Sequence, residues 1–206
     1  MLSNKKVFII LLFGLLSFSC SKNKSDADEA NKIDYANPEV VLQQAKNILG
    51  NDVKFAYKGK FDQDSTIEIA AGVETQKPKE WGIKFVLIKK DKDQFKVAFQ
   101  TPLLNGSFKQ CLVQKIKFPI FDYELIYYNS QDYFLGSGGG EVYSYLINYN
   151  EGKTYTAHLV TQPGTNVSLY LSENIDFPEV KNFFLSIFKR DYPSIQIVSK
   201  DIELKY

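Results

Sequence analysis

Apolar residues recur at two different periods along this chain, and the change of period marks the elements. Val41, Leu42, Ala45, Ile48 and Leu49 fall at helical spacing between Asn37-Pro38-Glu39 and Gly50. A capping asparagine, a proline in the first turn and a glycine past the end are start and stop signals, so a core-facing helix is expected there. Asp176-Phe177-Pro178-Glu179 opens a second helix, with Val180, Phe183, Phe184, Ile187 and Phe188 on one stripe and Lys181, Asn182, Lys189 and Arg190 away from it. A stripe that bulky is expected to pack on a sheet.

Between the helices the period falls to two. Val53, Phe55, Tyr57 and Phe61 alternate with Lys54, Lys58 and Lys60; Phe95, Val97 and Phe99 with Lys96 and Gln100; Tyr155, Ala157 and Leu159 with Thr154, Thr156 and His158. Such alternation predicts half-buried antiparallel strands. Turn-forming tetrads at 62–65, 90–93, 129–132, 150–153 and 162–165 separate them. The clearest hairpins pair 82–90 with 94–101 and 141–149 with 153–161, and a last strand is expected within 195–204. The predicted fold class is α+β: a mostly antiparallel β meander or sandwich with one N-terminal and one C-terminal amphipathic helix. Two blade-like four-stranded sheets are the alternative. Phe61-Asp62 leading to Glu68-Ile69 is echoed by Phe121-Asp122 leading to Glu124-Leu125, at an offset between fifty and sixty residues.

The first twenty residues follow neither period. Lys5 and Lys6 form a basic head, Val7 to Phe18 an apolar run, and Ser19 sets a small residue directly before Cys20. That order is an export signal. The run is shorter than the ~20 residues a membrane span needs and is interrupted by Gly14, so removal is expected rather than retention. Its end resembles the lipobox of bacterial lipoproteins of the Bacteroidota type. The resemblance implies cleavage by a type II signal peptidase and lipidation of Cys20, hence attachment to the cell envelope through several acyl chains, each adding ~0.8 kcal/mol per buried methylene. The outer membrane is the expected site, with its periplasmic and surface faces both open. The expected organisation is signal peptide 1–19, lipidated cysteine and flexible tether 20–37, and one α+β domain 38–206. The tether is read from its Ser, Lys, Asn and Asp content, which offers little to bury.

Composition narrows the partners. The chain has 25 Lys and Arg against 24 Asp and Glu, and loss of Lys5 and Lys6 with the signal leaves it close to neutral. No basic stripe is interleaved with aromatics, so nucleic acid is not expected. With Cys20 lipidated, Cys111 is the single remaining thiol and no intramolecular disulfide can form. Its strand-like surroundings read as a small buried hydrophobe.

Candidate chemistry clusters in three places. Gly136-Ser137-Gly138-Gly139-Gly140 is followed by the strand-like Glu141-Val142-Tyr143 rather than by a helix with a lysine. It therefore reads as a tight bend, a bulge or a floor that another backbone approaches, with ligand binding as the alternative, and not as a phosphate loop. On the next strand Tyr143, Tyr145, Ile147 and Tyr149 share one face and Val142, Ser144, Leu146 and Asn148 the other. The two faces are not expected to be equally buried, and an open tyrosine face would suit glycan stacking or a protein partner. Gly136, Gly138, Gly139, Gly140, Tyr143 and Tyr145 are thus the ligand-binding candidates.

Asp62, Asp64 and Glu68, within 59–72, form the second cluster, and that stretch resembles an FG-GAP blade, whose acidic loop binds calcium. Thr66 stands where that family has a further carboxylate, and Glu68 comes early, so the three read as a polar turn rather than a cage. No metal or cofactor is expected. For catalysis the candidates are Glu124, Glu141 and His158, the only histidine, with no Gly-x-Ser-x-Gly elbow beside them. The functional expectation is a lipid-anchored, non-catalytic module for a glycan or protein partner. The alternative is an envelope hydrolase of glycan or cell-wall substrates, which requires those three side chains to converge.

Overall fold

In the computed structural model, residues 34–64, 66–77, 80–92, 94–130, 139–161, 167–191, 193 and 196–198 are described. The stretch read as a signal peptide, Cys20, the stretch read as a tether as far as residue 33, Gly136 and Gly138 lie outside them. The first helix, α1 (Pro38–Leu49), begins as its signals require: the Asn37 side chain accepts from the Glu39 amide at 2.9 Å, and Gly50 ends it at φ +91°, its own amide on Lys46 O. The second, α2 (Pro178–Asp191), has Glu179 in its first turn and Lys189 and Arg190 in its last, each matched to the helix dipole.

Among the described residues, ten strands form two sheets. The first is a four-stranded antiparallel meander, β1 (Val53–Gly59), β2 (Glu68–Lys77), β3 (Glu80–Asp91) and β4 (Gln94–Gln100). The second has six strands: β5 (Cys111–Ile116), β6 (Leu125–Ser130), β7 (Gly140–Asn148), β8 (Lys153–Thr161) and β9 (Ser168–Leu171) run antiparallel in order, and β10 (Gln196–Val198) pairs parallel to β9. The parallel pair follows from α2, which lies between β9 and β10 in the chain and returns it to the end where β9 began. The fold is therefore α+β with two sheets, as expected. The blade alternative fails on the second sheet, which β9 and β10 extend beyond four strands. The echo in the sequence has a counterpart here: β5, β6, β7 and β8 start 57 to 60 residues after β1, β2, β3 and β4 respectively.

Three cores stack as layers. Val41 and Ala45 of α1 pack on Val53, Ala56, Ile69, Ala71, Val86 and Ile88 of the first sheet. The opposite face of that sheet supplies Ala70, Phe85 and Leu87 to a core shared with Ile126, Tyr128, Tyr145 and Ile147 of the second sheet. Beyond it, Leu125, Tyr127, Val142, Leu146, Tyr155, Ala157 and Leu159 meet Val180, Phe184 and Phe188 of α2. The order is helix, sheet, sheet, helix.

This layering corrects the strand-by-strand expectations. Both faces of β7 are buried, because the first sheet covers Tyr145 and Ile147 while α2 covers Val142 and Leu146. A period of two records which face a residue is on, not whether that face is covered. Two bulges also break the alternation. The register slips between Val53 and Phe55, which sends Val53 toward α1 and Phe55 toward the other sheet. A second slip, where Leu87 pairs with Phe99 but Ile88 with Val97, likewise puts Phe95 on the α1 side and Phe99 between the sheets. Tyr35, inside the stretch read as tether, packs its ring 5.7 Å from that of Phe95.

Candidate functional site

The start of β7 and its partner β8 hold an organised polar group. Tyr143 lies opposite His158, and their rings stack at 4.3 Å and 6° between planes. Glu141, two residues earlier on the same face, accepts on one oxygen, Oε2, from Tyr143 Oη at 2.6 Å and faces His158 Nε2 at 3.0 Å. The Tyr143 hydrogen bond, helped by His158, holds the Glu141 carboxyl below its ordinary range although burial opposes it. Burial pushes His158 down, against the pull of Glu141. At neutral pH the pair is thus a carboxylate and a neutral imidazole. A carboxylate only accepts, so Nε2 carries the hydrogen and Nδ1 keeps a bare lone pair. That Nδ1 is buried and has no hydrogen-bond partner. The His158 side chain is 9% exposed and that of Glu141 51%, so the carboxylate forms the open side of the group.

Of the ligand-binding candidates, Gly139 (φ +91°) and Gly140, paired with Thr161, lead directly into this group. Tyr143 is half-buried. Tyr145 is fully buried: its hydroxyl donates to Asn105 O at 3.0 Å and its ring stacks on Tyr128 at 5.6 Å, so it pins the inter-sheet core. The expected open tyrosine face is reduced to its first member.

Glu124 is elsewhere. Ile126 pairs with Ile147, which places Glu124 about level with Tyr149, eight residues along β7 from Glu141 and hence ~26 Å away at ~3.3 Å per residue. It is engaged as a strap between the sheets, accepting from the Lys60 amide at 3.2 Å and from Lys115 Nζ at 3.1 Å, while its own amide donates to Lys60 O at 2.6 Å. Glu124, Glu141 and His158 do not converge; only the last two meet.

Asp62, Asp64 and Glu68 do come together, with ligand atoms within 4.8 Å of one another. The place a cation would take is filled from the protein itself. Lys89 Nζ forms ion pairs with Asp62 and Asp64 and lies 3.5 Å from Glu68 Oε1. Sequence reasoning named the three acids and missed Lys89, which reaches them across the sheet because β3 pairs it with Glu68. It also missed Glu74, a second buried acid six residues along β2. Glu74 accepts from Ser107 Oγ at 2.9 Å and from the Phe108 amide at 3.2 Å. Burial alone would raise its pKa, yet these donors and Gln76 hold it below the usual range. The available signal was the even spacing of two glutamates among small apolar residues on one strand face.

No protein-family model matches the chain, and no curated protein or solved structure is significantly similar to it. What the fold and the site define is a class: a two-sheet α+β domain, helix-covered on both outer faces, with a braced glutamate–histidine pair at one end.

Proposed function

We propose that this chain is a lipid-anchored protein of the bacterial cell envelope, held in the outer membrane through Cys20, whose domain binds a glycan or a protein partner without catalysing a reaction on it. The observation that carries the binding reading is the half-exposed Glu141 carboxylate, fixed by Tyr143 and His158 beside Gly139 and Gly140. An acceptor so braced is preorganised for a ligand rich in hydroxyl or amine donors, because little side-chain freedom remains to be lost on binding. Trp81, the single tryptophan, stands exposed at the same end of the sandwich, beyond Ile83 and the loop that carries Asn105 and Ser107. Tyr35 and Pro38 line a pocket with Ala56 and Lys58, so the chain enters the domain at the opposite end of β1.

The anchor is tested by labelling cells with radioactive palmitate. Label is expected on the wild type and absent from Cys20→Ala; label unchanged in the variant would overturn the anchor. Protease added to intact cells separates the faces, since clipping means surface display and protection means the periplasm. Binding is tested with the detergent-solubilised protein by affinity electrophoresis through a panel of polysaccharides. Retardation by at least one of them is expected to weaken tenfold or more in Glu141→Gln, with the melting temperature held. No retardation by any polysaccharide would remove the glycan form of the reading. The Glu141–His158 contact is the one observation favouring a hydrolase of glycan or cell-wall substrates, and release of new reducing ends, lost in His158→Ala, would establish that second reading.

A further inference from the structure

At the other end of the sandwich, Glu68 opens β2 between Gly59 of β1 and Lys89 of β3, its side chain fully buried. Oε2 accepts from the amides of Phe61 and, at 3.1 Å, Asp62, where the chain leaves β1 and turns inward. The Phe61 ring is thereby seated between the sheets, edge-on to Tyr149 at 5.7 Å. The other oxygen, Oε1, is buried and has no hydrogen-bond partner. Three carboxylates share the single ammonium of Lys89. Were all three ionised, two negative charges would stand uncompensated, one of them on the fully buried Glu68, which is costly. A proton on Glu68 removes one of them and gives the orphan carboxyl a hydrogen to offer, with a carboxylate oxygen of Asp62 within 4.8 Å of it.

We propose that this cluster is a proton-operated latch: protonated Glu68 holds the loop Phe61–Asp64 and its phenylalanine in place, and loss of that proton as pH rises toward neutrality and beyond loosens the loop. The neighbouring groups fit this role. Burial first, and then the Asp62 carboxyl, push Glu68 up to about 7 from 4.5. Asp62 moves down, since its bonds to Glu68 and Lys89 outweigh its burial, and Lys89 and Thr66 bring Asp64 down to about 2. Lys89 is raised by the two aspartates against its burial, and burial raises the Tyr149 phenol facing Phe61. Glu124, on the far side of Gly59, is tied to Lys115, and Lys60 to Asp122. Between pH 4.5 and 7 the group of this cluster that changes charge is Glu68. Its folded value lies above its unfolded one, so the closed loop binds the proton more tightly and loses stability as pH rises across that window. Below about pH 4 the sign reverses, because the depressed Asp62 and Asp64 then take up protons more readily in the open form.

Amide hydrogen exchange of Phe61 and Asp62 on the full chain tests this, after correction for the intrinsic rate. Protection is expected to fall about tenfold or more from pH 5.5 to 8 in the wild type. It is expected to be flat in Glu68→Gln, which still accepts the two amides but cannot ionise. A flat wild-type profile, or the same slope in both proteins, overturns the proposal. If Glu68→Gln does not fold, the carboxyl ¹³C shift of Glu68 in the wild type decides: a midpoint near neutrality supports the latch, and one in the ordinary glutamate range overturns it.

Discussion

Phe61→Ala is expected to lower the unfolding free energy by about 3–5 kcal/mol, read from urea denaturation at pH 5.5. Phe61 is fully buried, yet it belongs to the loop after β1 rather than to a strand. Its ring lies edge-on to Tyr149 in the core that Ala70 and Leu87 of the first sheet share with Ile126 and Ile147 of the second. Both walls are hydrogen-bonded sheets, which cannot close on a void as a lone side chain can, so the cavity term is expected near its upper range. Phe61→Leu, which refills most of the volume, is expected to recover more than half of the loss. A cost below about 1 kcal/mol for Phe61→Ala would mean that the loop does not seat the ring between the sheets.

A loss of the same size, about 3–5 kcal/mol, is expected for Phe184→Ala. Val180, Phe184 and Phe188 lie four residues apart and are the buried centre of the α2 stripe, against Tyr155, Ala157 and Leu159 of β8. The parallel strand β10 reaches β9 only through α2. The variant should therefore also become open to protease beyond Leu171 at temperatures where the first sheet stays protected. Lys181→Ala, on the exposed side of the same helix, is the control and should change stability by less than about 0.5 kcal/mol. Equal susceptibility in both variants would show that α2 is held by something other than its aromatic stripe.

Local signals were legible wherever a local cause settles the structure. Asn37, Pro38 and Gly50 placed α1, Pro178 placed the start of α2, and the turn at 150–153 placed the β7–β8 hairpin. Long-range causes were not legible. Nothing in Tyr143 to Tyr149 tells that a second sheet lies over one face and a helix over the other. Nothing near Val97 announces the slip that sends Phe95 and Phe99 to opposite sides. The acids divide in the same way. Asp62, Asp64 and Glu68 are close in sequence and were grouped correctly, whereas the ammonium that answers them arrives from Lys89, 27 residues on from Asp62. Glu124 and Glu141 looked equivalent as strand-flanking carboxylates and proved to lie at opposite ends of the sheet, a matter of register that spacing does not record.

The two successive meanders also govern how the chain becomes a protein. Within each, strands pair with their neighbours in sequence, so the loops closed are short and that half can assemble early at small entropic cost. With α1, the first half is complete at Gln100, but Ile83, Phe85 and Leu87 stay bare until β6 and β7 follow. At ribosomal speed that interval is on the order of seconds. For that time the half-made molecule carries a sticky apolar surface wide enough to capture another copy of itself. The bulge and exposed Lys96 on β4 guard the edge of that surface but not its face. A fragment ending at Gln100 should consequently be rich in β structure and aggregate, and the yield of intact protein should depend on how quickly the second half follows the first.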